Sequence, residues 1–246
     1  MASPAHIRFA ARQRMRRLLL ACGASGGLLI ALTVAATMTR DDAPAPPAVP
    51  QAPSAAPSGA YVEPEQWVSL PAAARRIDGA YPVGFTHTPR GAVAALVAEV
   101  ETGWGLDAER AVKSSQIYAD PEFRAQARAK VYSLIGHWRT FLGLPASGDV
   151  PAGAYLQARV VGAKWTAADA DRVRVQVLVL AEGAPSVNAA PRYRLFAAVA
   201  GMRWDSQVRG GDWTSGLTEG RADDVAAPGT TEFNHLGWRA LQVAPE

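Results

Sequence analysis

The sequence predicts an α+β domain, with helices packed on one face of a twisted antiparallel sheet, preceded by a transmembrane helix and a proline-rich linker. Three observations predict this plan. Residues 18–38 carry no charged side chain, and apolar residues recur at helical spacing between residues 89 and 142. After Pro151 the apolar residues instead recur at every second position, as in half-buried strands. Helices followed by strands are typical of an α+β domain.

The charge-free stretch Leu18–Met38 is 21 residues long. As a helix it would cover ~31 Å, about the thickness of the hydrocarbon core of a bilayer. Five arginines precede it and give the first 17 residues a charge of +5: Arg8, Arg12, Arg14, Arg16 and Arg17. Positive residues beside a span stay in the cytoplasm, and each can gain about 1 kcal/mol from anionic lipid. We therefore expect a cell-membrane protein with a cytoplasmic tail (1–17), one span (18–38) and an extracytoplasmic C-terminal part.

A permanent anchor has three alternatives. A cleaved signal peptide has a shorter apolar run of about 7–15 residues, although Val34-Ala35-Ala36 makes cleavage conceivable. A lipoprotein would use Cys22, but only Leu18–Ala21 would form its apolar region. The arginine flank disfavours a soluble protein with a buried hydrophobic helix. Cys22 is the single cysteine, so the chain has no intramolecular disulfide and no downstream zinc site built on thiolates.

The linker (39–60) separates the span from the predicted domain (61–246). Its part Ala43–Gly59 is mostly proline and alanine and predicts a semi-stiff spacer, reaching ~50 Å at ~3.1 Å per residue. Beyond the basic tail, the chain has 20 basic and 22 acidic residues. Because the positive charge does not cluster on the domain, we expect no direct contact with nucleic acid.

Capping residues indicate where the predicted helices begin and end. The connecting segment Tyr61–Ala80 is expected to be pinned by Trp67 and Leu70 and to include a short helix from Pro71 to Ile77. The first long helix begins at Thr88-Pro89 and ends at Gly103, with Val93, Leu96, Val97 and Val100 on its buried face. A second helix runs from Asp107 to Ile117. Asp120-Pro121-Glu122 opens the third, which ends at Gly143 with this apolar face: Phe123, Ala127, Val131, Leu134, Ile135, Trp138, Phe141 and Leu142.

About four strands follow. Tyr155–Trp165 and Arg172–Leu180 are separated by turn residues, and the second alternates valines with polar residues. Tyr193–Trp204 and Gln207–Leu217 predict a hairpin, with Gly210-Gly211 supplying positive φ at the turn. Residues 216–229 have a loop-like composition. Thr231–Leu241 predicts a closing helix.

Chemistry-bearing residues are few. The histidines are His6, His87, His137 and His235, and none has the spacing of a metal-binding pair. We interpret His87 as a residue before a helix cap and His137 as a surface residue. The carboxylate pairs Asp169/Asp171 and Asp223/Asp224 are expected to be solvated, and no nucleophile elbow or phosphate-binding glycine loop is present. The sequence therefore predicts a protein that is not an enzyme, with no catalytic residue, cofactor or metal site.

The seven tryptophans provide the candidate contact residues. Five fall on or beside predicted elements and are expected in the core: Trp104, Trp138, Trp165, Trp204 and Trp213. Trp67 and Trp238 lie near the ends of the domain. Because aromatic anchors are enriched at interfaces, these two form the predicted interaction surface.

The order of tail, span, linker, capped helices and sheet resembles single-pass membrane proteins of actinobacteria. Their outer domain is similar to the cone-shaped, curved α+β fold of nuclear transport factor 2. Inner-membrane scaffold subunits of type IV secretion and conjugation machines share this plan. Within the chain, Pro82–Val93 resembles the entry to the first helix of such proteins, and Gly210-Gly211-Asp212-Trp213 resembles their Gly-Asp-Trp hairpin.

The resemblance implies a membrane-anchored scaffold of the cell envelope that binds other envelope proteins or itself, with a role in DNA conjugation. Fold alone does not fix function, because cone folds also include enzymes. The alternative is a domain that binds a small apolar ligand or catalyses a reaction, which predicts a deep pocket between helices and sheet. A third hypothesis, a sensor signalling through its tail, is weakened by a tail of only 17 residues.

Overall fold

The computed structural model describes residues 60–216 and 221–242. The predicted tail, span and nearly all of the linker lie outside these residues. Among the described residues, none of the helices has the length and apolar character needed to cross a membrane.

The described helices are α1 (Pro89–Gly103), α2 (Ala108–Tyr118), α3 (Arg124–Leu142) and α4 (Thr231–His235), with a 3-10 turn at Pro121–Phe123. The described strands are β1 (Trp67–Val68), β2 (Arg75–Ile77), β3 (Tyr81–Val83), β4 (Tyr155–Ala167), β5 (Arg172–Ala184), β6 (Arg192–Asp205), β7 (Asp212–Ser215) and β8 (Arg239–Leu241). Six of them form one sheet in the order β1-β8-β4-β5-β6-β7, and β2 and β3 form a separate hairpin. The predicted α+β class is confirmed.

The helices begin and end where the capping residues predict. Thr88 Oγ1 accepts a hydrogen bond from Gly91 N at 3.1 Å, and Asp107 Oδ1 accepts one from Arg110 N at 3.0 Å. Asp120 caps the 3-10 turn that leads into α3, and Gly143 ends α3 with φ of +78°. Each cap satisfies a backbone group that the helix itself leaves unpaired.

Thr88→Ala is expected to lower the free energy of unfolding by about 1 kcal/mol, because the N-cap acceptor of α1 is lost. Thr88→Ser, which keeps the hydroxyl, should lie close to the wild type. Urea unfolding of a fragment of residues 60–246, followed by tryptophan fluorescence, measures both variants. Equal losses in the two variants would contradict a capping role.

The sheet is covered on both faces. Helix α1 packs against β3 to β7. On this face Phe196 of β6 stacks against Trp104 at 5.6 Å between ring centroids and contacts Trp138 at 5.4 Å. On the other face Phe233 and Trp238 pack on outward-facing sheet residues that include Leu178 and Val199. The C-terminal segment therefore forms a third layer.

Two segments differ from the sequence prediction. The short helix predicted for Pro71–Ile77 is wrong: residues 75–77 form β2, and Asp78 and Gly79, with φ of +48° and +70°, make the turn into β3. The closing helix predicted for Thr231–Leu241 is wrong beyond His235. Gly237, with φ of +71°, follows the last helical turn, and β8 then pairs with both β1 and β4.

The sheet is also larger than the four strands expected, because β1 and β8 extend it. The predicted β6–β7 hairpin is present, but β7 is only four residues long and residues 206–211 form the connection. Arg209, Gly210 and Gly211 all have positive φ there. Neighbouring strands of the six-stranded sheet pair antiparallel, except that β1 is parallel to β8. Strand β4 has a bulge between Val160 and Gly162.

Candidate partner-binding cleft

The candidate functional site is a cleft of about 670 Å³ beside β4. One wall is the C-terminal half of α1 together with the α1–α2 connection, and the opposite lip includes Leu70, Leu241 and Gln242. Residues Leu156 to Val160 of strand β4 also line the cleft. The volume lies in the ordinary range of binding pockets in proteins, roughly 300–1,000 Å³.

The floor of the cleft is apolar. The side chains of Leu156, Ala158 and Val160 are almost fully buried, as are Trp104 and Leu106 in the α1–α2 connection. Gln157 and Arg159 are exposed, as the alternation of a strand requires. A partner lying in the cleft would meet apolar side chains below and polar ones at the lip.

The edge of β4 away from β5 lines the cleft from Leu156 to Val160. Among the described residues, strand β8 pairs with this edge at Gly162 and Ala163. Val160 N donates a hydrogen bond to Glu101 Oε1 at 2.9 Å, so this N–H points away from β5. Because successive peptide groups of a strand alternate in direction, the backbone groups of Ala158 and Leu156 point to the same edge.

Four charged residues surround this edge of β4: Glu101, Asp107, Arg110 and Arg159. Burial raises the pKa of Glu101, against the opposing effects of the Val160 N–H and of Arg159. Arg110 Nε donates to Thr102 O at 2.8 Å, and Asp107 caps α2. The lip therefore carries two acids and two bases.

A second polar cluster lies at the other side of α1, within the domain. The side chain of Glu99 is partly accessible as a whole, but its Oε2 atom is buried and has no hydrogen-bond partner among the described residues. Burial raises the pKa of Glu99 to about 7, and a hydrogen bond from Ser215 opposes the shift. Burial also raises the pKa of the neighbouring Tyr118, whose hydroxyl donates to Pro82 O at 2.7 Å.

Asp212 joins three parts of the fold. Its buried carboxylate accepts hydrogen bonds from Gly84 N at 2.7 Å, Phe85 N at 3.2 Å and Trp213 N at 2.9 Å. It also accepts one from Arg209 Nε at 2.8 Å. These contacts hold the segment before α1 against the β6–β7 hairpin, which makes Asp212 a structural residue.

The two tryptophans of the predicted interaction surface differ in their exposure to solvent. Trp67 is 45% exposed on the edge strand β1. Trp238 is only 1% exposed, so its assignment to an interaction surface is corrected. Its Nε1 donates to Asp224 O at 3.1 Å, and Lys164 Nζ lies 4.5 Å from its ring centroid. The expected core positions of Trp104, Trp138 and Trp213 are confirmed.

The two histidines of the helical half make more contacts than expected. His87 stacks on Trp204 with 4.2 Å between ring centroids, and its Nε2 lies 2.8 Å from Asp171 Oδ1. His137 Nε2 lies 3.3 Å from Arg194 Nη1. Burial and then the charge of Arg194 lower the pKa of His137. Among the described residues, no three histidine, aspartate, glutamate or cysteine side chains are placed to hold a metal ion.

The predicted carboxylate pairs lie in turns and loops, where cations contact two of their members. Asp169 Oδ2 lies 2.6 Å from Arg172 Nη2, and Asp223 Oδ2 lies 3.1 Å from Lys164 Nζ. The hydrogen bond from Arg172 lowers the pKa of Asp169. Burial opposes the shift at Asp223, but hydrogen bonds from Lys164 and Gln176 lower the pKa of that carboxyl group.

Sequence reasoning missed Glu99 and Glu101, and it placed Asp212 in a hairpin motif without predicting its buried contacts. For Glu99 a signal existed, because it follows Leu96 by three residues and so falls on the face that carries Val93, Leu96 and Val100. No local pattern marks Glu101, since its role depends on the approach of β4, which lies more than fifty residues further along the chain.

No protein-family model matches this chain, and no curated protein matches it significantly. Among solved structures, it is similar to the crystal structure of CagV, a VirB8 homologue of a T4SS from Helicobacter pylori strain 26695. The sequences are 8% identical, the match covers 52% of this chain and 99% of that one, and the TM-score is 0.35. Similarity at this level assigns neither family nor function.

Proposed function

We propose that this protein is a non-enzymatic, single-pass membrane scaffold of the cell envelope. The observation that carries the proposal is the charge-free stretch Leu18–Met38, placed between five arginines and a proline/alanine spacer. This order would tether the α+β domain outside the membrane, with anionic lipid at the basic tail. The cleft beside β4 and the exposed Trp67 give the domain surfaces for other envelope proteins or for further copies of itself.

The more specific form of the proposal is a subunit of a conjugative, type IV secretion machine with a cone-like, nuclear-transport-factor-2-like domain, of actinobacterial origin. It rests on the resemblance of Pro82–Val93 and of Gly210-Gly211-Asp212-Trp213 to such proteins. Asp212 ties these two motifs together by accepting hydrogen bonds from Gly84 N and Phe85 N. That contact explains why the two motifs would occur together in one fold.

Cysteine labelling tests the topology. In a Cys22→Ser background, Val187→Cys is expected to react with a membrane-impermeant maleimide on intact cells, because Val187 is 79% exposed in the proposed outer domain. The matched control Ala5→Cys, in the basic tail, is expected to react only after lysis. Protection of Val187→Cys on intact cells would refute the orientation, and equal labelling of both variants would refute a span between them.

Cross-linking in intact cells, followed by purification of the tagged protein, tests the scaffold role. We expect envelope proteins to be recovered with it. Recovery of a secretion ATPase or of channel subunits would support the conjugative form of the proposal, and recovery of unrelated envelope proteins would refute that form alone.

A second candidate function is the binding of a small ligand or the catalysis of a reaction, and the volume and apolar floor of the cleft favour it. The rings of Trp104, Trp138 and Phe196 pack together in the core between the helices and the sheet, and Trp104 also lines the cleft. A ligand would therefore have to bind beside β4. Recovery of the protein alone with a co-purifying small molecule would favour this candidate over the scaffold.

A further inference from the structure

Two long segments of the domain, one containing α3 and one containing most of β6, have no acidic residue. Residues 123–148 and 183–204 contain neither aspartate nor glutamate. Together they carry seven arginine and lysine residues: Arg124, Arg128, Lys130, Arg139, Arg192, Arg194 and Arg203. The near balance of charge over the whole domain conceals this concentration, because the acidic residues lie in other segments. Where α3 and the start of β6 meet, the local charge is therefore positive.

The fold brings two arginines of β6 against one turn of α3. Arg194 Nη1 lies 3.3 Å from His137 Nε2, and Arg192 Nη1 donates to Phe141 O at 2.7 Å. His137 and Phe141 are four residues apart on the helix, with about 5–6 Å between their Cβ atoms. Arg192 and Arg194 lie on the same side of their strand, ~6.6 Å apart along it. The two guanidinium groups are therefore held side by side, with the imidazole next to Arg194.

These three side chains have no acidic partner in the described part of the domain. Among residues 60–216 and 221–242, no carboxylate forms an ion pair with Arg192, Arg194 or His137. On β5, the residues paired with the two arginines are Gly183 and Ala181, which carry no charge. The two positive charges are thus not neutralised by the strand beside them.

The single acidic residue of β5 points the other way. Glu182 lies between Ala181 and Gly183 and is paired with Tyr193. Because successive residues of a strand point to opposite faces, Glu182 and Tyr193 face away from the arginines. On that opposite face, Glu182 Oε1 accepts a hydrogen bond from the Tyr155 hydroxyl at 3.1 Å. The pleat of the sheet therefore separates this carboxylate from the basic cluster.

The basic cluster has hydrogen-bond donors to offer. A guanidinium carries five N–H donors in a planar fork, and Arg192 is exposed while Arg194 is half-buried. Burial and then the charge of Arg194 lower the pKa of His137, as expected for an imidazole beside a cation without a counter-ion. The C-terminal end of α3 contributes a partial charge of only about −0.5, which two full positive charges outweigh.

We propose that Arg192, Arg194 and His137 form a binding site for a phosphate group with three free oxygens, supplied by inorganic phosphate or by a phosphatidic acid headgroup. Such a group carries up to two negative charges and offers three strong acceptor oxygens, one for each side chain. The planar fork of arginine matches phosphate in a bidentate manner. A carboxylate has one charge and two oxygens, so it would leave donors of this cluster unused. The site adds a ligand to the scaffold proposal and does not depend on it.

The experiment uses the full-length protein in an uncharged detergent. Inorganic phosphate and, separately, a short-chain phosphatidic acid are titrated into it by isothermal titration calorimetry, with acetate and a short-chain phosphatidylcholine as reference ligands. In parallel, NMR of 13C-labelled histidine follows His137, whose resonance among the four histidines is assigned with His137→Gln. We expect saturable binding of a phosphate ligand, about tenfold or more tighter than acetate, with a shift of the His137 resonance.

One substitution in the cluster and one outside it test the assignment to these residues. Arg194→Gln is expected to weaken phosphate binding about tenfold or more, because a charge-assisted hydrogen bond is lost. Arg128→Gln removes an exposed arginine elsewhere on α3 and is the matched control, with an expected change below about twofold. Near-ultraviolet circular dichroism of both full-length variants checks that each is folded.

The two phosphate ligands identify the source of the bound group. Tighter binding of phosphatidic acid assigns a lipid headgroup, and equal or tighter binding of inorganic phosphate assigns the free ion; both support the site. Binding of neither ligand, equal affinity for acetate, or equal losses in Arg194→Gln and Arg128→Gln would overturn it. Bound phosphate that leaves the His137 resonance unshifted would overturn it as well. None of these outcomes bears on the scaffold role, which the cross-linking experiment decides.

Discussion

Replacing Asp212 with alanine is expected to lower the free energy of unfolding by about 3–5 kcal/mol, the usual cost of removing one partner from a buried ion pair. The carboxylate of Asp212 is 1% exposed and accepts hydrogen bonds from three backbone N–H groups and from Arg209. Without it, the Arg209 guanidinium remains mostly buried beside groups that have lost their acceptor. Urea unfolding of the fragment 60–246 measures the loss.

A double-mutant cycle separates the ion pair from the backbone contacts. Arg209 also donates from Nη2 to Trp213 O at 3.2 Å, so Arg209→Ala should itself be destabilising. If the pair acts as a unit, Asp212→Ala should cost much less in the Arg209→Ala background than in the wild type. The remaining cost then reports on the hydrogen bonds from Gly84 N, Phe85 N and Trp213 N. Asp205→Ala, which removes another aspartate of the same hairpin, is expected to cost under 1 kcal/mol and is the control.

A loss below about 1 kcal/mol in Asp212→Ala would contradict the structural role given to this residue. It would also weaken the link between the two motifs that carry the family resemblance, because Asp212 is the residue that connects them.

Helix positions could be predicted from the sequence because their signals are local. Thr88, Asp107 and Asp120 each cap the helix or turn that follows, and Gly143 ends α3. The apolar face of α3 was likewise predictable, since the 3.6-residue period lies within one segment. Arg139 is the exception on that face: it is buried and donates to four loop carbonyl groups, those of Pro145, Ser147, Gly148 and Asp149.

The C-terminal segment could not be predicted in the same way, because long-range pairing decides it. Residues 239–241 follow a short helix and have no strong strand pattern, yet they are paired by Gln66 and Val68 on one side and by β4 on the other. Trp238 is a core residue because the same C-terminal segment packs on the sheet. The cleft depends on the same assembly, since Leu241 of β8 forms part of its lip.

Glu99→Gln is expected to stabilise the domain at pH 8 by up to about 3 kcal/mol and to leave it nearly unchanged at pH 4.5. The pKa of Glu99 is raised from 4.5 to about 7 in the folded state. The folded protein therefore binds this proton more tightly than the unfolded chain, and the stability it provides is lost as pH rises from about 4.5 to beyond 7. A difference of about 2.5 pKa units corresponds to roughly 3 kcal/mol. Glutamine removes the titration and keeps the shape of the side chain.

The difference between wild type and variant isolates Glu99 from the other groups near it. Tyr118 stays neutral over this range, since burial raises its pKa, and Arg209 and Asp212 are present in both proteins. Glu101→Gln is the matched control on the same helix: burial also raises the pKa of Glu101, but the hydrogen bond from Val160 N stabilises its charged form, so a smaller gain is expected. Urea unfolding between pH 4.5 and pH 8 gives each curve. If Glu99→Gln runs parallel to the wild type over this range, the buried carboxylate is not the group that titrates, and another acid must account for any fall in stability above pH 5.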